Sequence, residues 1–321
     1  MSHDLSVLLD GLASPDPAVR DGWAYAELAE GTESGRFAEE WPRIRAAALA
    51  HLESADVQAR TFAPLMLTWL VAAGDRDRGA FDAVARWYPA ESDTRGFDDE
   101  LGWLHAVAHG ADYLGECARA GIATGPQVLD LLAARLLGPG TAWRDQEDAR
   151  VDHAAVIALG RCSEADATAW LDPVITALDT FETAADGEQE TGRPPSWLHN
   201  LYATCASLYV ALSEQPRDGE EDARVDHADA TCAALVRILS RMTPWLLRSR
   251  ERANRARERR VERIVSGRHR RPGDASAVVR SSHSSGFGQS FTHGMALAVR
   301  VAPKTRVPRR IPAIAMIAIT R

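Results

Sequence analysis

Two imidazoles four residues apart, His105 and His109, with the carboxylate of Asp112 three residues further on, form the pattern whose residue types point to chemistry. An α-helix turns by about 100° per residue, so on a helix spanning 98 to 120 the side chains of Asp98, His105, His109, Asp112 and Glu116 fall within about 60° of one another. Leu101, Trp103, Leu104, Val107, Ala108, Ala111 and Leu114 take most other directions. A helix apolar on most sides is buried, which turns its polar stripe towards an enclosed space rather than bulk water. Imidazole nitrogen and carboxylate oxygen both offer lone pairs, so His105, His109 and Asp112 are a candidate ligand set for one divalent cation. Ala106 stands where the H-E-x-x-H pattern carries its general-base glutamate, and that protease chemistry is not implied. Two other roles stay open for the histidines: hydrogen-bonded core residues linking neighbouring helices, and acid–base work without a metal.

Glu91, Asp93 and Arg95 lie on the loop that enters this segment, close enough in sequence to fold over the stripe. They are candidates for further ligands or an anion clamp; the alternative is a helix cap at Asp93 and an ion pair at Arg95. Asp145, Glu147, Asp148 and Arg150 open a later helix with the same acidic-then-basic order, where Asp145 and Asp148 read as N-terminal caps and Glu147 as a further site candidate. Trp103 is either core or a stacking surface for a ligand. The chain has no Gly-rich phosphate loop and no G-x-S-x-G elbow.

The elements that must position these residues are helical. Glycine and proline separate long Ala-, Leu- and Trp-containing stretches of helical period, and alternating β-branched segments are nearly absent, so the fold class expected is all-α. Helices are expected at 17 to 30, 36 to 53, 56 to 73, 77 to 88, 98 to 120, 126 to 138, 147 to 161, 165 to 182, 196 to 213, 224 to 240 and 243 to 265, with a linker in the stretch from Ala184. Two segments repeat: Ser14, Asp16 and Arg20 recur as Ser54, Asp56 and Arg60, 40 residues on, and "EDARVDHA" occurs at Glu147 to Ala154 and at Glu221 to Ala228. His153 and His227 therefore hold matching positions. A period near 40, with Asp before a helix and Arg inside it, resembles HEAT-type paired-helix repeats, an α-solenoid in which each pair buries its apolar face by stacking on the next.

Charge divides the chain. From Arg248 on there are 18 Arg or Lys against 4 Asp or Glu, which leaves residues 1–247 with 19 against 41. The acidic body, 1–247, is a poor surface for nucleic acid, because phosphate neutralisation needs clustered positive charge. Residues 248–321, Arg-rich and without helical or strand period, are expected to be a disordered tail: an out-of-frame extension, a solvated appendage, or a basic arm for nucleic acid or an anionic membrane. The first of these follows from 36 Arg and a single Lys, Lys304, which suggest a G+C-rich gene. Cys117, Cys162, Cys205 and Cys232 lie far apart without metal-site spacing, which fits buried thiols in a reducing cytoplasm. No secretory signal is visible, and no apolar run reaches the roughly 18 residues of a membrane span.

The segment "ESDTRGFDDELGWLHAVAHGADYL", from Glu91 to Leu114, resembles a bacterial family of helical proteins without an assigned activity, domain of unknown function 2785. Its E-x-D-x-R-G stretch falls on Glu91, Asp93, Arg95 and Gly96, and its Gly-Trp-x-His-x-x-x-His-x-x-Asp stretch on Gly102, Trp103, His105, His109 and Asp112. The later acidic segment falls on Asp145, Glu147, Asp148 and Arg150, and the likeness extends over roughly residues 15 to 245. The chain departs from that pattern at Leu101, where a basic residue is common, and at Leu104, where a small one is. The resemblance implies a helical fold and names these residues, but no reaction. The function expected is a binding or scaffold module, for a small ligand or a protein partner, with a cleft of Glu91, Asp93, Arg95, Trp103, His105, His109, Asp112 and Glu147. The alternatives are a metal-dependent hydrolase built on the same residues, with His105, His109 and Asp112 holding a divalent metal, and nucleic-acid binding through the tail.

Overall fold

The computed structural model describes residues 4–187, 194–214 and 225–245, and these are all-α apart from one short hairpin. The N-terminal helix α1 (Leu5–Gly11) is followed by α2 (Pro17–Val19), a π-helical turn (Arg20–Tyr25) and α3 (Ala26–Glu33), the last three running on as one rod. Then come α4 (Trp41–Leu52), α5 (Val57–Ala73), α6 (Arg78–Trp87), the hairpin β1 (Phe97–Asp98) and β2 (Gly102–Trp103), and α7 (Ala106–Arg119). The chain continues through α8 (Gly125–Leu137), α9 (Glu147–Leu159), α10 (Asp166–Ala169), α11 (Asp172–Gly187), α12 (Ser196–Ser213) and α13 (Ala228–Met242).

Local chemistry sets many of these starts. Asp4, Asp16 and Asp77 each turn a carboxylate onto a backbone N–H of the first helical turn, and Thr124 and Gln127 exchange hydrogen bonds as a capping box. The 40-residue echo is a repeated piece of geometry. In both copies the serine Oγ accepts the Asp N–H at 3.1 Å, and the arginine guanidinium returns to the serine carbonyl six residues earlier.

Helices α5, α7, α9 and α12 pack each on the next, while α4 packs on α5 and α6, α8 on α9, and α13 on α12. Their facing sides carry the core, including Phe62, Leu67, Leu114, Val128, Leu132, Val151, Leu201 and Leu208; full burial of such a side chain contributes roughly 1.5–3 kcal/mol. Helices α7 and α9 approach closely at Gly115, where an added Cβ would lie 3.2 Å from the Ala154 backbone. All four cysteines are free, and burial raises the thiols of Cys117 and Cys205 to about 12. No helix among the described residues is long and apolar enough to cross a membrane.

Several expectations need correction. The helix expected from 98 begins only at Ala106. Asp98 accepts the N–H groups of Glu100 and Leu101, Gly102 takes φ +71°, and Phe97 pairs with Trp103, so residues 97–103 form a hairpin. An aspartate bonding nearby backbone offers an alternative to the helical ladder, and a glycine with positive φ completes the turn. Asp98 and His105 are therefore not on the helix that carries His109, Asp112 and Glu116. The stretch expected as one helix from 165 is divided into α10 and α11 around Trp170 and Leu171, and α1 has no counterpart among the expected helices. The expected linker overlaps the end of α11, with 188–193 outside the described residues, as are 221–224 of the second echo, 246–265 of the last expected helix and the tail 248–321.

Candidate functional site

His105 is delivered by backbone strain. It is the N-cap of α7 with φ 53°, and its N–H meets the carbonyls of Arg95 and Gly96 at 3.2 and 3.3 Å. Gln146, the N-cap of α9, has φ 67°, and among the described residues these are the two non-glycine positions in the left-handed region. Such positions cost on the order of 1–3 kcal/mol each and persist only where the surroundings enforce them. The His105 ring lies flat on Trp103, with centroids 4.6 Å apart and planes at 5°, and its Nδ1 is 3.3 Å from Oε1 of Glu147.

Glu147 is fully buried at the start of α9, and its Oε2 accepts the backbone N–H of Asp145 at 2.8 Å and of Arg144 at 3.2 Å. Burial pushes this carboxyl up, but the His105 hydrogen bond and the backbone N–H donors outweigh it and hold Glu147 below its ordinary value. An ionised acceptor at that distance takes a hydrogen bond from Nδ1–H of His105 and turns Nε2 away from Glu147. Gly96 makes room for the contact, since a Cβ there would sit 2.2 Å from Oε1 of Glu147.

His109 is buried on α7, one turn on. Its Nδ1 is 2.8 Å from the Thr61 carbonyl of α5, three residues before Pro64, which interrupts the hydrogen-bond ladder of that helix. A carbonyl can only accept, so His109 also carries its hydrogen on Nδ1. Burial first, and the neighbouring His105 imidazole second, hold its pKa well below the ordinary value, and the ring is neutral with a lone pair on Nε2. The two imidazole centroids are 5.7 Å apart, and Phe62 meets His109 edge-on at 5.2 Å.

The π-helical turn supplies a further wall. The buried Arg20 donates to the carbonyls of Leu101 (2.5 Å) and Trp103 (3.2 Å), pairs with Asp21 through both oxygens, and lies 4.9 Å over the Phe62 ring. Burial raises the Asp21 carboxyl against the pull of Arg20. Tyr25 packs on Trp69 at 4.5 Å, and its phenol is pushed up to about 12 by burial first and by the Asp112 charge second. Neither Arg20 nor Tyr25 is among the site residues expected from sequence. The repeated Ser-x-Asp-x-x-x-Arg pattern marks Arg20 only as architecture, and no local signal marks Tyr25.

The other expected site residues part company. Asp112 is gripped by Arg150 of α9, with Nε at 2.9 Å from Oδ1 and Nη2 on Oδ2; burial raises its carboxyl and Arg150 opposes the rise. Glu91 is buried and accepts from Arg60 at 3.0 Å, Trp87 Nε1 at 3.1 Å and the Asp93 N–H at 2.9 Å, an anchor between α5, α6 and the following loop. Arg95 is exposed and committed to Asp93 and Asp98. Trp103, His105, His109 and Glu147 thus come together, and Asp112 stands beside them with both oxygens occupied. Among the described residues no group of three or more His, Cys, Asp or Glu side chains is placed to hold a metal ion.

Next to this site lies a cleft of about 400 Å³, lined among others by Arg95, Gly96, Phe97, Arg144, Asp145 and, at the start of α12, Ser196. Of the eight residues expected to form a cleft, Arg95 alone lines this one.

Residues 47–210 match the family described as "Protein of unknown function (DUF2785)", and the chain belongs to that family. The matched stretch holds both histidines, Glu147, Arg150 and the cleft, while Arg20 and Tyr25 precede it. No curated protein and no solved structure matches the chain.

Proposed function

We propose that this DUF2785 chain is a ligand-binding module of paired helices whose ligand engages His105 and His109. One arrangement carries the reading: Nδ1 of His105 lies 3.3 Å from the Glu147 carboxylate and Nδ1 of His109 lies 2.8 Å from the Thr61 carbonyl, acceptors that draw the ring hydrogen to Nδ1 and leave Nε2 of each ring to a ligand, with the ring centroids 5.7 Å apart. Two oriented acceptors suit a ligand with hydrogen-bond donors or a cation. Departures from regular helix gather around the same point: the π-helical turn, Pro64 inside α5 and the two left-handed caps. Strain of this kind is characteristic of binding and catalytic sites. The succession α5, α7, α9 and α12, with α4, α8 and α13 each against one of them, supports a HEAT-like arrangement of helix pairs.

A thermal-shift comparison of the wild type with the His105→Ala, His109→Ala double variant tests the reading, using a panel of polyols, amines and divalent cations. A true ligand at 100 times its Kd adds about 2.7 kcal/mol to the wild type, and the double variant loses that gain. A panel that stabilises both proteins equally, or neither, overturns the proposal.

A second reading, a metal-dependent hydrolase, is favoured by the same anchoring, because metal-bound histidines ordinarily give their other N–H to a carboxylate or a backbone carbonyl. It ranks second because Asp112 is held by Arg150. Elemental analysis of both proteins as purified decides it: metal in the wild type and none in the variant supports an ion site, and equal, negligible metal in both rejects it.

A further inference from the structure

The guanidinium groups around the histidines are nearly all spoken for. Arg20 pairs with Asp21, Arg60 with Glu91, Arg95 with Asp93 and Asp98, and Arg150 with Asp112, while Arg135 donates to the carbonyls of Tyr88, Glu91 and Pro139. Arg144 differs. Its side chain has no hydrogen bond or ion pair among the described residues, and the same holds for the Asp145 carboxylate next to it, although both backbone N–H groups are taken by Glu147. These two charges of opposite sign, the exposed Arg144 and the half-buried Asp145, line one cleft without a protein partner among the described residues. Its volume of about 400 Å³ lies towards the lower end of the roughly 300–1,000 Å³ found for small-molecule pockets. Phe97, 46% exposed, adds an apolar surface to the same lining.

Charge decides what such a cleft accepts. A simple anion attracted by Arg144 meets Asp145, with Asp93 and Asp98 close behind through Arg95; a simple cation attracted by Asp145 meets Arg144 and Arg95. A molecule with both charges on a short frame satisfies both groups at once, and each is worth most when its opposite is supplied as a charge-assisted hydrogen bond. We propose that this cleft binds a small zwitterion of the α-amino-acid type, its carboxylate on Arg144, its ammonium on Asp145 and its side chain against Phe97. The site is also wired to the histidines: Glu147, which holds the backbone of residues 144 and 145, meets His105 with its other oxygen. Occupancy of the cleft is therefore felt at the His105 ring.

The test is calorimetric titration of the full chain with L-phenylalanine, L-leucine and L-glutamine, then with the amide and N-acetyl forms of the tightest binder, which remove the negative and the positive charge respectively. The free amino acid is expected to bind, with each blocked form weaker by about ten-fold or more, equivalent to about 1.4 kcal/mol. Arg144→Gln should abolish the discrimination against the amide, and Asp145→Asn that against the N-acetyl form. Arg144 is exposed and Asp145 half-buried, and unchanged melting temperatures serve as the folding control. The His105→Ala, His109→Ala double variant is expected to retain binding, which separates failure here from failure of the histidine reading. The proposal is overturned if none of the three amino acids binds, if the N-acetyl form binds as tightly as its parent (an anion site), or if both single variants bind the amino acid as the wild type does.

Discussion

Arg20 and Arg60 occupy equivalent places in the 40-residue repeat, and the structure uses them differently. Both follow an extended Asp, with φ −80° at Asp16 and −78° at Asp56, and both return to a serine carbonyl six residues back. Arg60 sits in the first turn of the α-helix α5, its side chain partly exposed, and reaches Glu91 on the loop after α6. Arg20 opens a π-helical turn, is wholly buried, and spans 81 and 83 residues of sequence to the carbonyls of the hairpin that carries Trp103 and precedes His105. One local motif therefore staples architecture in one copy and the candidate site in the other. The difference lies in what the third partner is, which neither copy's own residues specify.

That contrast breaks most sharply at Arg20 itself. Arg20→Met leaves the partly buried Asp21 without its cation and two hairpin carbonyls without the donor they have in the fully buried Arg20, and is expected to cost about 3–5 kcal/mol in chemical denaturation. An effect no larger than that of Arg60→Met would remove the distinction drawn between the two copies.

Buried carboxyls offer the same comparison, with and without a cation. Asp112 has Arg150, whereas Asp152, buried between α9 and α12, has the Ser207 hydroxyl on one oxygen and no partner among the described residues on the other. Burial, opposed by Ser207 and reinforced by Asp148, raises Asp152 to about 8. The folded value lies above the unfolded one, so the unfolded state ionises first and stability falls as pH rises from about 4 to about 8, by about 1.4 kcal/mol per pH unit. Asp152→Asn should flatten that slope, gaining about 2–3 kcal/mol on the wild type between pH 5 and pH 7; parallel stability–pH curves for the two proteins would show that Asp152 is ionised throughout.

Smaller effects sharpen the picture at the site. Gly96→Ala drives a methyl group into Glu147 and Asp145, an overpacking cost of about 1–3 kcal/mol. It is expected to shift the His105 ring resonances far more than those of His153, and equal shifts at the two would deny the Gly96–Glu147–His105 contact. Arg60→Met, which loses a partly exposed pair while Glu91 keeps Trp87 and the Asp93 N–H, should cost least, about 1–2 kcal/mol by denaturation.

Much of this was open to reading along the chain. Helical period and the Ser-Asp-Arg echo are properties of a few consecutive residues, and they appear in the structure close to where pattern places them, whereas the caps expected of Asp145 and Asp148 give way to Gln146 as the N-cap of α9. The neighbourhood of His105 and His109 was legible too, though for an incomplete reason: the helix starts after His105, because the Asp98 turn and Gly102 win over the apolar period. What each imidazole faces was not legible. The Glu147 carboxylate lies 42 residues from His105 and the Thr61 carbonyl 48 from His109, while Arg150, 38 residues from Asp112, takes the carboxylate that the spacing alone would have offered to a metal. A residue's type and its immediate neighbours set its conformation and the chemistry open to it. The stacking of α5, α7 and α9, driven by summed burial along their whole lengths, chose the partner that turns that chemistry into an anchor, a base or a spent charge.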